Sequence, residues 1–300
     1  MSDQPNSLAE ILTVELPLIE ILDIGAAALS PDRFAPLLDK GKARLTGFEP
    51  NQTELAKLQA NNSNNLYLPY FLGDGNRHIF YVTRYPGCSS LYLPDPGVID
   101  RFATISAGSS TGNFHVADTM EVQTTRLDDV KLSAKPDYIK LDIQGAELMV
   151  LENGLETISE TVVLETEVEF LPLYKNQPLF GDIQTYLRKN GFVFHKFLDV
   201  SGRGLEPVVH PDNPFLPISQ ILWADAIFIK NYFDLSSFSD NQLLKAAVIL
   251  NDVYRSYDVV HALLSEYDQR SNATTAEIYF RHLASGNAPS PQFLSVKTQP

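Results

Sequence analysis

Residues 137–154, DYIKLDIQGAELMVLENG, pass from strand to tight turn to helix in one short stretch. Tyr138, Ile139, Leu141 and Ile143 are the apolar, β-favouring positions. Gly145 supplies the turn, Ala146 to Glu152 are good helix formers, and Gly154 is a stop signal. A strand that feeds a helix in this way belongs to a parallel sheet, and such strands are covered on both faces and read as unbroken apolar runs. Lys140 and Asp142 interrupt this run. The chain must therefore fold so that a lysine and an aspartate near the end of a covered strand have a reason to be there.

The rest of the chain supplies the sheet. LIEILDIG, 18–25, and ARLTGFEP, 43–50, read as strands, and NQTELAKLQANN, 51–62, as a helix with Asn51 as N-cap and Glu54 three residues on. LYLPYFLGDG, 66–75, is a third strand and HIFYVT, 78–83, a further β segment. Residues 84–113, rich in Gly, Pro, Ser and Asp, read as a long loop of the kind that forms lids or binding loops. β character resumes over 115–130, and 161–170 is a strand. A helix spans 181–191, and strands 192–200 and 221–230 follow it. Strands alternating with helices predict a parallel, doubly wound α/β sheet. The last two strands have no helix between them and are expected to pair antiparallel at one edge. From 239 to 268 the apolar spacing is helical, and Thr274 and Glu277 have capping-box spacing. The expected division is a sheet domain over 1–234, a small helical appendage over 235–285, and a disordered tail over 286–300.

Composition narrows the functions. A formal charge of −14 and a pI near 4.8 argue against a nucleic-acid backbone or an anionic membrane as partner. Cys88 is the single cysteine, so an intrachain disulfide is excluded, which fits a reducing compartment. The N-terminal residues are polar and acidic, unlike a secretory signal, and no apolar run is long enough to span a bilayer. A cytoplasmic location is expected. No histidine pair has metal-ligand spacing.

Ligands of open α/β sheets bind beyond the carboxyl ends of the strands. The first strand ends in Asp23-Ile24-Gly25, and glycine lets a ligand approach the backbone closely. The second ends in Glu49, some 20 residues past the glycine turn, where a carboxylate can accept both hydroxyls of a ribose. Nicotinamide dinucleotides and S-adenosylmethionine share that spacing. A dinucleotide pyrophosphate needs G-x-G-x-x-G, whereas Ala26-Ala27-Ala28-Leu29 follow Gly25. S-adenosylmethionine has no phosphate and carries a sulfonium, which gains from carboxylates such as Asp23. Gly73-Asp74 adds a polar group that either faces the adenine amine or forms a solvated turn.

The motifs VQTTRLDDV and PDYIKLDIQGAELMVLENG, with LETEVEFLPLYKNQPLFGDIQTYLRKNGF at 164–192 and QILWADAIFIK, resemble the FkbM family of S-adenosylmethionine-dependent methyltransferases over residues 18–230. FEPN, 48–51, and CSSLY, 88–92, resemble family segments too. The resemblance implies the class I, Rossmann-like fold, with seven mostly parallel strands and an antiparallel final hairpin. It implies methylation of a hydroxyl on a sugar, a polyketide or a related small molecule. The family often has a second glycine after Gly25, and this chain does not.

On this reading Asp23, Gly25, Glu49, Asn51, Asp74 and Asp142 hold S-adenosylmethionine. Gln144, Glu147, Glu167 and Tyr174 face the acceptor, with the loop 84–113 and the segment 170–180 shaping its pocket. Asp142, Glu165 and Lys140 are the catalytic candidates, and Asp142 or Glu165 would be the base. Lys140 and Asp142 can alternatively neutralise each other as an i, i+2 pair. Glu165, Glu167 and Glu169 alternate along one strand and share a face. Three like charges there must be solvated, protonated or bound to a cation, and two of them are suited to hold Mg²⁺. A homodimer is compatible with the helical appendage. Two other readings remain: a non-catalytic relative acting through binding or its C-terminal helices, and a nucleotide-binding oxidoreductase.

Overall fold

A computed structural model describes residues 7–26, 32–61 and 65–287. In chain order the elements are helix α1 (Leu8–Ile11), strand β1 (Ile19–Ile24), α2 (Ala35–Asp39), β2 (Ala43–Phe48), α3 (Gln52–Asn61), β3 (Leu66–Leu68), β4 (Phe71–Leu72), β5 (Arg77–Thr83), α4 (Pro96–Ile99) and β6 (Val116–Thr125). Then follow β7 (Tyr138–Leu141), α5 (Glu147–Glu152), α6 (Leu155–Ile158), β8 (Val163–Glu169), α7 (Phe180–Lys189), β9 (Phe192–Gly202), β10 (Ile221–Lys230), α8 (Asp240–Asp252), α9 (Tyr257–Ser271) and α10 (Thr275–His282).

A seven-stranded sheet runs in the order β3-β2-β1-β7-β8-β10-β9. The pairs β2·β3, β1·β7 and β7·β8 are parallel. β10 is antiparallel to both β8 and β9, so the expected final hairpin closes one edge. A three-stranded sheet, β4-β6-β5, stands apart. The strand expected over 66–75 is two short strands in different sheets, because Pro69 between them has no N–H for a ladder.

Alternation sorts the central strands into two faces. Leu22, Ile24, Ile139, Leu141, Leu164, Val168, Ala226 and Phe228 share one apolar cluster with Val150, Leu151, Ile158, Ile183 and Leu187 from α5, α6 and α7. At roughly 25 cal/mol per Å² of apolar surface, this layer is the main stabilising term of the sheet unit. The opposite parity carries Asp23, Tyr138, Lys140, Glu165, Glu167 and Glu169, and Asp23, Tyr138, Glu165 and Glu169 are buried.

The chain forms two compact units. The sheet unit contains Glu20 to the end of β1 and Leu45–Lys230. The helical unit contains the preceding N-terminal residues, Asp32–Arg44 and the chain from Asn231 onward. In the helical unit Leu243, Ala246, Ala247 and Leu250 of α8, Val260, Leu263 and Leu264 of α9, and Tyr279 of α10 are buried. Asp252 joins the start of α1 to the end of α8, accepting from Ser7 Oγ at 2.6 Å and from the Leu8 amide at 2.8 Å. The helical stretch read over 239–268 is two helices. Arg255 between them has φ +53°. The capping box expected of Thr274 and Glu277 does not form: the Thr274 side chain makes no cap bond. Asp268 caps α10 instead, accepting from the Thr275 and Ala276 amides at 2.9 and 2.8 Å. Of the tail expected over 286–300, residues 288–300 lie outside the described residues.

Candidate active site

The carboxyl ends of β1, β2 and β7 are locked together by backbone. The Gly25 and Ala26 amides both donate to the Phe48 carbonyl, and the Asp142 amide donates to the Ile24 carbonyl. Gly25 has φ +90°, and a Cβ there would lie 2.0 Å from the Asp142 carbonyl oxygen. Only glycine permits this approach. Ala27 and Ala28 of the altered first motif lie outside the described residues.

Glu49 follows β2 and is buried, and its Oε1 accepts the Asn51 amide at 2.6 Å. Burial pushes its carboxyl above the usual value, with the Asn51 amide opposing and Glu54 adding to the rise. The Asn51 side chain caps α3 through the Thr53 and Glu54 amides. Asp74 sits in a turn before β5, where Asn76, His78 and Thr124 contact its carboxylate. Burial raises its pKa, but the bonds from Asn76 and His78 outweigh that and hold it below the usual range. Asn51 and Asp74 thus serve their own turns.

Lys140 Nζ lies 3.5 Å from Asp23 Oδ1, one strand away. In register, Asp23 stands opposite Lys140 and Lys140 opposite Glu165. Glu165 is buried and accepts the Tyr138 hydroxyl at 2.8 Å. These four form a row in the middle of the sheet.

A second row lies further along the same strands. Asp142 and Glu167, both partly exposed, are joined by Gln144, whose Nε2 donates to Asp142 Oδ1 at 3.0 Å and to Glu167 Oε2 at 2.6 Å. Gln144 Oε1 accepts from the Tyr174 hydroxyl at 3.0 Å, and that hydroxyl also lies 3.0 Å from the Cys88 carbonyl. Glu147 is buried and folds back to accept the Ile143 amide at 2.9 Å. Burial drives its carboxyl up to about 7, against backbone amides that favour the charge, and Asp142 adds to the rise. Glu167 is raised well above its ordinary value by burial, then by Asp142, Glu169, Glu147 and Asp225. Glu169 is raised similarly by burial and then by Glu147, while Gln177 opposes the rise. Burial with Glu167 and Asp142 nearby pushes the Cys88 thiol up to about 12, which leaves it inert as a nucleophile.

Of the acceptor candidates, Gln144 and Glu167 therefore meet at the edge, while Glu147 and Tyr174 are buried behind it. The sequence reading missed Ser90, Gln177 and Asp225. Ser90 Oγ donates to the Gln144 carbonyl at 2.6 Å. Asp225 stands opposite Glu167 in register, and its place in the alternating strand WADAIFIK was the available signal. Among the described residues no group of three or more Asp, Glu, His and Cys is arranged to hold a metal ion. The carboxylates of β8 do not fit Mg²⁺, since Glu165 and Glu167 turn to different partners and Glu169 is buried.

A seven-stranded sheet in this order, with an antiparallel last hairpin and carboxylates at its carboxyl edge, defines a class I, Rossmann-like methyltransferase fold. The methyltransferase FkbM domain matches residues 23–194, and the chain belongs to that family. No curated protein matches the chain. Among solved structures it is similar to the FkbM methyltransferase of Methylobacillus flagellatus, at 16% identity and TM-score 0.39, covering 72% of this chain and 45% of that one. It is similar to precorrin-6y C5,15-methyltransferase of Geobacter metallireducens, at 13% identity and TM-score 0.36 over 74% and 85% of the two chains. It is also similar to magnesium protoporphyrin IX methyltransferase of Synechocystis, at 15% identity and TM-score 0.35 over 74% and 76%. The chain spans less than half the length of the Methylobacillus protein. No helix among the described residues is long and apolar enough to cross a membrane.

Proposed function

We propose that this protein is an S-adenosylmethionine-dependent O-methyltransferase that acts on a hydroxyl of a small molecule, a sugar, polyketide or related metabolite. The observation that carries the reading is the pair Asp142 and Glu167, joined through Gln144 where β7 and β8 end, beside the glycine turn of β1. The donor set fits the group. A buried carboxylate at Glu49 suits the ribose hydroxyls, and the clustered acids of the edge suit a cationic sulfur. S-adenosylmethionine, when bound, supplies a methyl group on a positively charged sulfur. Gly25 opens the backbone for it, Glu49 receives its ribose, and Asp142 faces its reacting end. Glu167 would take the proton of the acceptor hydroxyl as the hydroxyl oxygen takes the methyl group, with the sulfur leaving with the electrons of the broken carbon–sulfur bond. A carboxylate whose neighbours raise its proton affinity is suited to that task, and such general-base help is worth about 10²–10⁴ in rate. Glu165, bound to Tyr138 in the middle of the sheet, is the weaker candidate for base.

Calorimetric titration with S-adenosylmethionine tests the donor site, with the nicotinamide dinucleotides as controls. Binding of S-adenosylmethionine alone, weakened at least about tenfold in Glu49→Ala, supports the reading. Binding of the dinucleotides instead, or of none of the three, overturns it.

A further inference from the structure

We infer that Gln144 is a positioning residue: its side-chain amide binds Asp142 and Glu167 at once and holds two like-charged groups in one frame at the edge of the sheet. The inference rests on the reading of Asp142 and Glu167 as the reacting end of the site.

The geometry leaves the amide one orientation. The side-chain nitrogen faces the two acids, donating to Asp142 Oδ1 and Glu167 Oε2. The oxygen then faces the Tyr174 hydroxyl, which can donate to it. Turning the amide over would remove both donors from the acids and the acceptor from the Tyr174 hydroxyl. Both N–H groups and the carbonyl of the side chain are thus in use. The backbone is held for the same purpose. Gln144 has φ +58°, in the left-handed region that side chains rarely enter, and Gly145 follows at φ +102°. The fully buried Ser90 fixes this turn by donating to the Gln144 carbonyl. Strained backbone at the end of a strand marks a position whose side chain is needed there.

The groups that act on Glu167 come from several neighbouring elements, and the largest of them are acids. Asp142 and Glu147 come from the turn after β7 and from α5, Glu169 from its own strand, and Asp225 from β10. The Cys88 thiol and the Tyr174 phenol face it from the loops before and after. The neighbouring acids disfavour a charge on Glu167, and the Gln144 amide favours it. Gln144 therefore sets the pH at which Glu167 can receive a proton.

Carbon-13 NMR of protein labelled at the glutamate carboxyl carbons tests this, with Glu167→Gln identifying the resonance. In Gln144→Leu the titration midpoint of Glu167 should rise by about one to two pH units, the size expected when a carboxylate loses one charge-assisted bond. Tyr174→Phe, which frees the amide without removing it, should give a smaller rise in the same direction. An unchanged midpoint in a folded Gln144→Leu protein overturns the inference, because a merely structural glutamine would not move it. If that variant does not fold, the unmodified protein decides. Its Gln144 amide protons should exchange slowly and shift with the same midpoint as Glu167, and rapid exchange without such a shift overturns the inference. Neither measurement uses S-adenosylmethionine, so failure of donor binding and failure of this inference are read separately.

Discussion

The two charged rows of the central sheet lie on the same strands and the same face, two residues apart, yet they solve opposite problems. The inner row holds Asp23, Lys140 and Glu165 side by side in register, with a cation between two acids and a tyrosine hydroxyl on Glu165. The outer row holds Asp142, Glu147, Glu167 and Glu169, with amides as its donors and neighbouring acids that raise Glu167. Removing charge from water costs several kcal/mol per ion unless a partner offsets it. The inner row has that offset and reads as structure. The outer row is held by amides instead, and a protein that clusters acids at a ligand-binding edge keeps them for a charged ligand or a proton.

The largest expected effect separates the rows directly. Lys140→Met leaves Asp23 and Glu165 facing each other without their cation, and should cost about 3–5 kcal/mol in denaturant unfolding. Glu167→Gln replaces an acid whose charged form its neighbours disfavour, and should leave stability unchanged or raise it. Equal losses in both variants would erase the distinction.

The pH dependence sharpens it next. Glu147 keeps its proton in the folded chain up to about 7, against an ordinary 4.5. Below pH 4.5 folded and unfolded chains both hold the proton, and its contribution to stability is intact. Between 4.5 and about 7 the unfolded chain releases the proton while the folded chain keeps it, so rising pH favours unfolding. Glu167 and Glu169, raised in the same direction, continue the trend upward. Asp74 and Asp100 are lowered, and their contribution fades only at more acid pH. Glu147→Gln should therefore remove about 2–3 kcal/mol of the stability lost between about pH 5 and pH 8. An identical loss in the variant would place the strain elsewhere.

The parity of both rows was legible in the sequence, because alternation in YIKLDI and VLETEVEF puts the charges on one face by spacing alone. The partner of Lys140 was not. Asp142, two residues away, was the local choice, while Asp23 is 117 residues distant and becomes a neighbour only because β1 lies beside β7. Gln177 and Ser90 lie in the two segments expected to shape the pocket, but within those loops no periodicity singles out either residue. The break between α8 and α9 carries no Gly or Pro, and the cap of α10 comes from Asp268 in the helix before it. Local signals named the elements, and the order of the strands decided which residues meet.

Two buried tyrosines give the smallest and finest test. Tyr138 and Tyr174 are both fully buried, and each hydroxyl serves one of the rows. Tyr138 donates to the Glu165 carboxylate, and hydrogen bonds to charged groups contribute about 1.5–3 kcal/mol. Tyr174 shares its single proton between neutral carbonyl oxygens, of Gln144 and of Cys88, and such a bond contributes about 1 kcal/mol. Tyr138→Phe should therefore lower unfolding stability by about 2 kcal/mol and Tyr174→Phe by about 1 kcal/mol, with phenylalanine filling each space. The reverse order would mean that the outer row also depends on a tyrosine for its stability. In that case its acids would be part of the core, and the case for a reactive edge would rest on Asp142 alone.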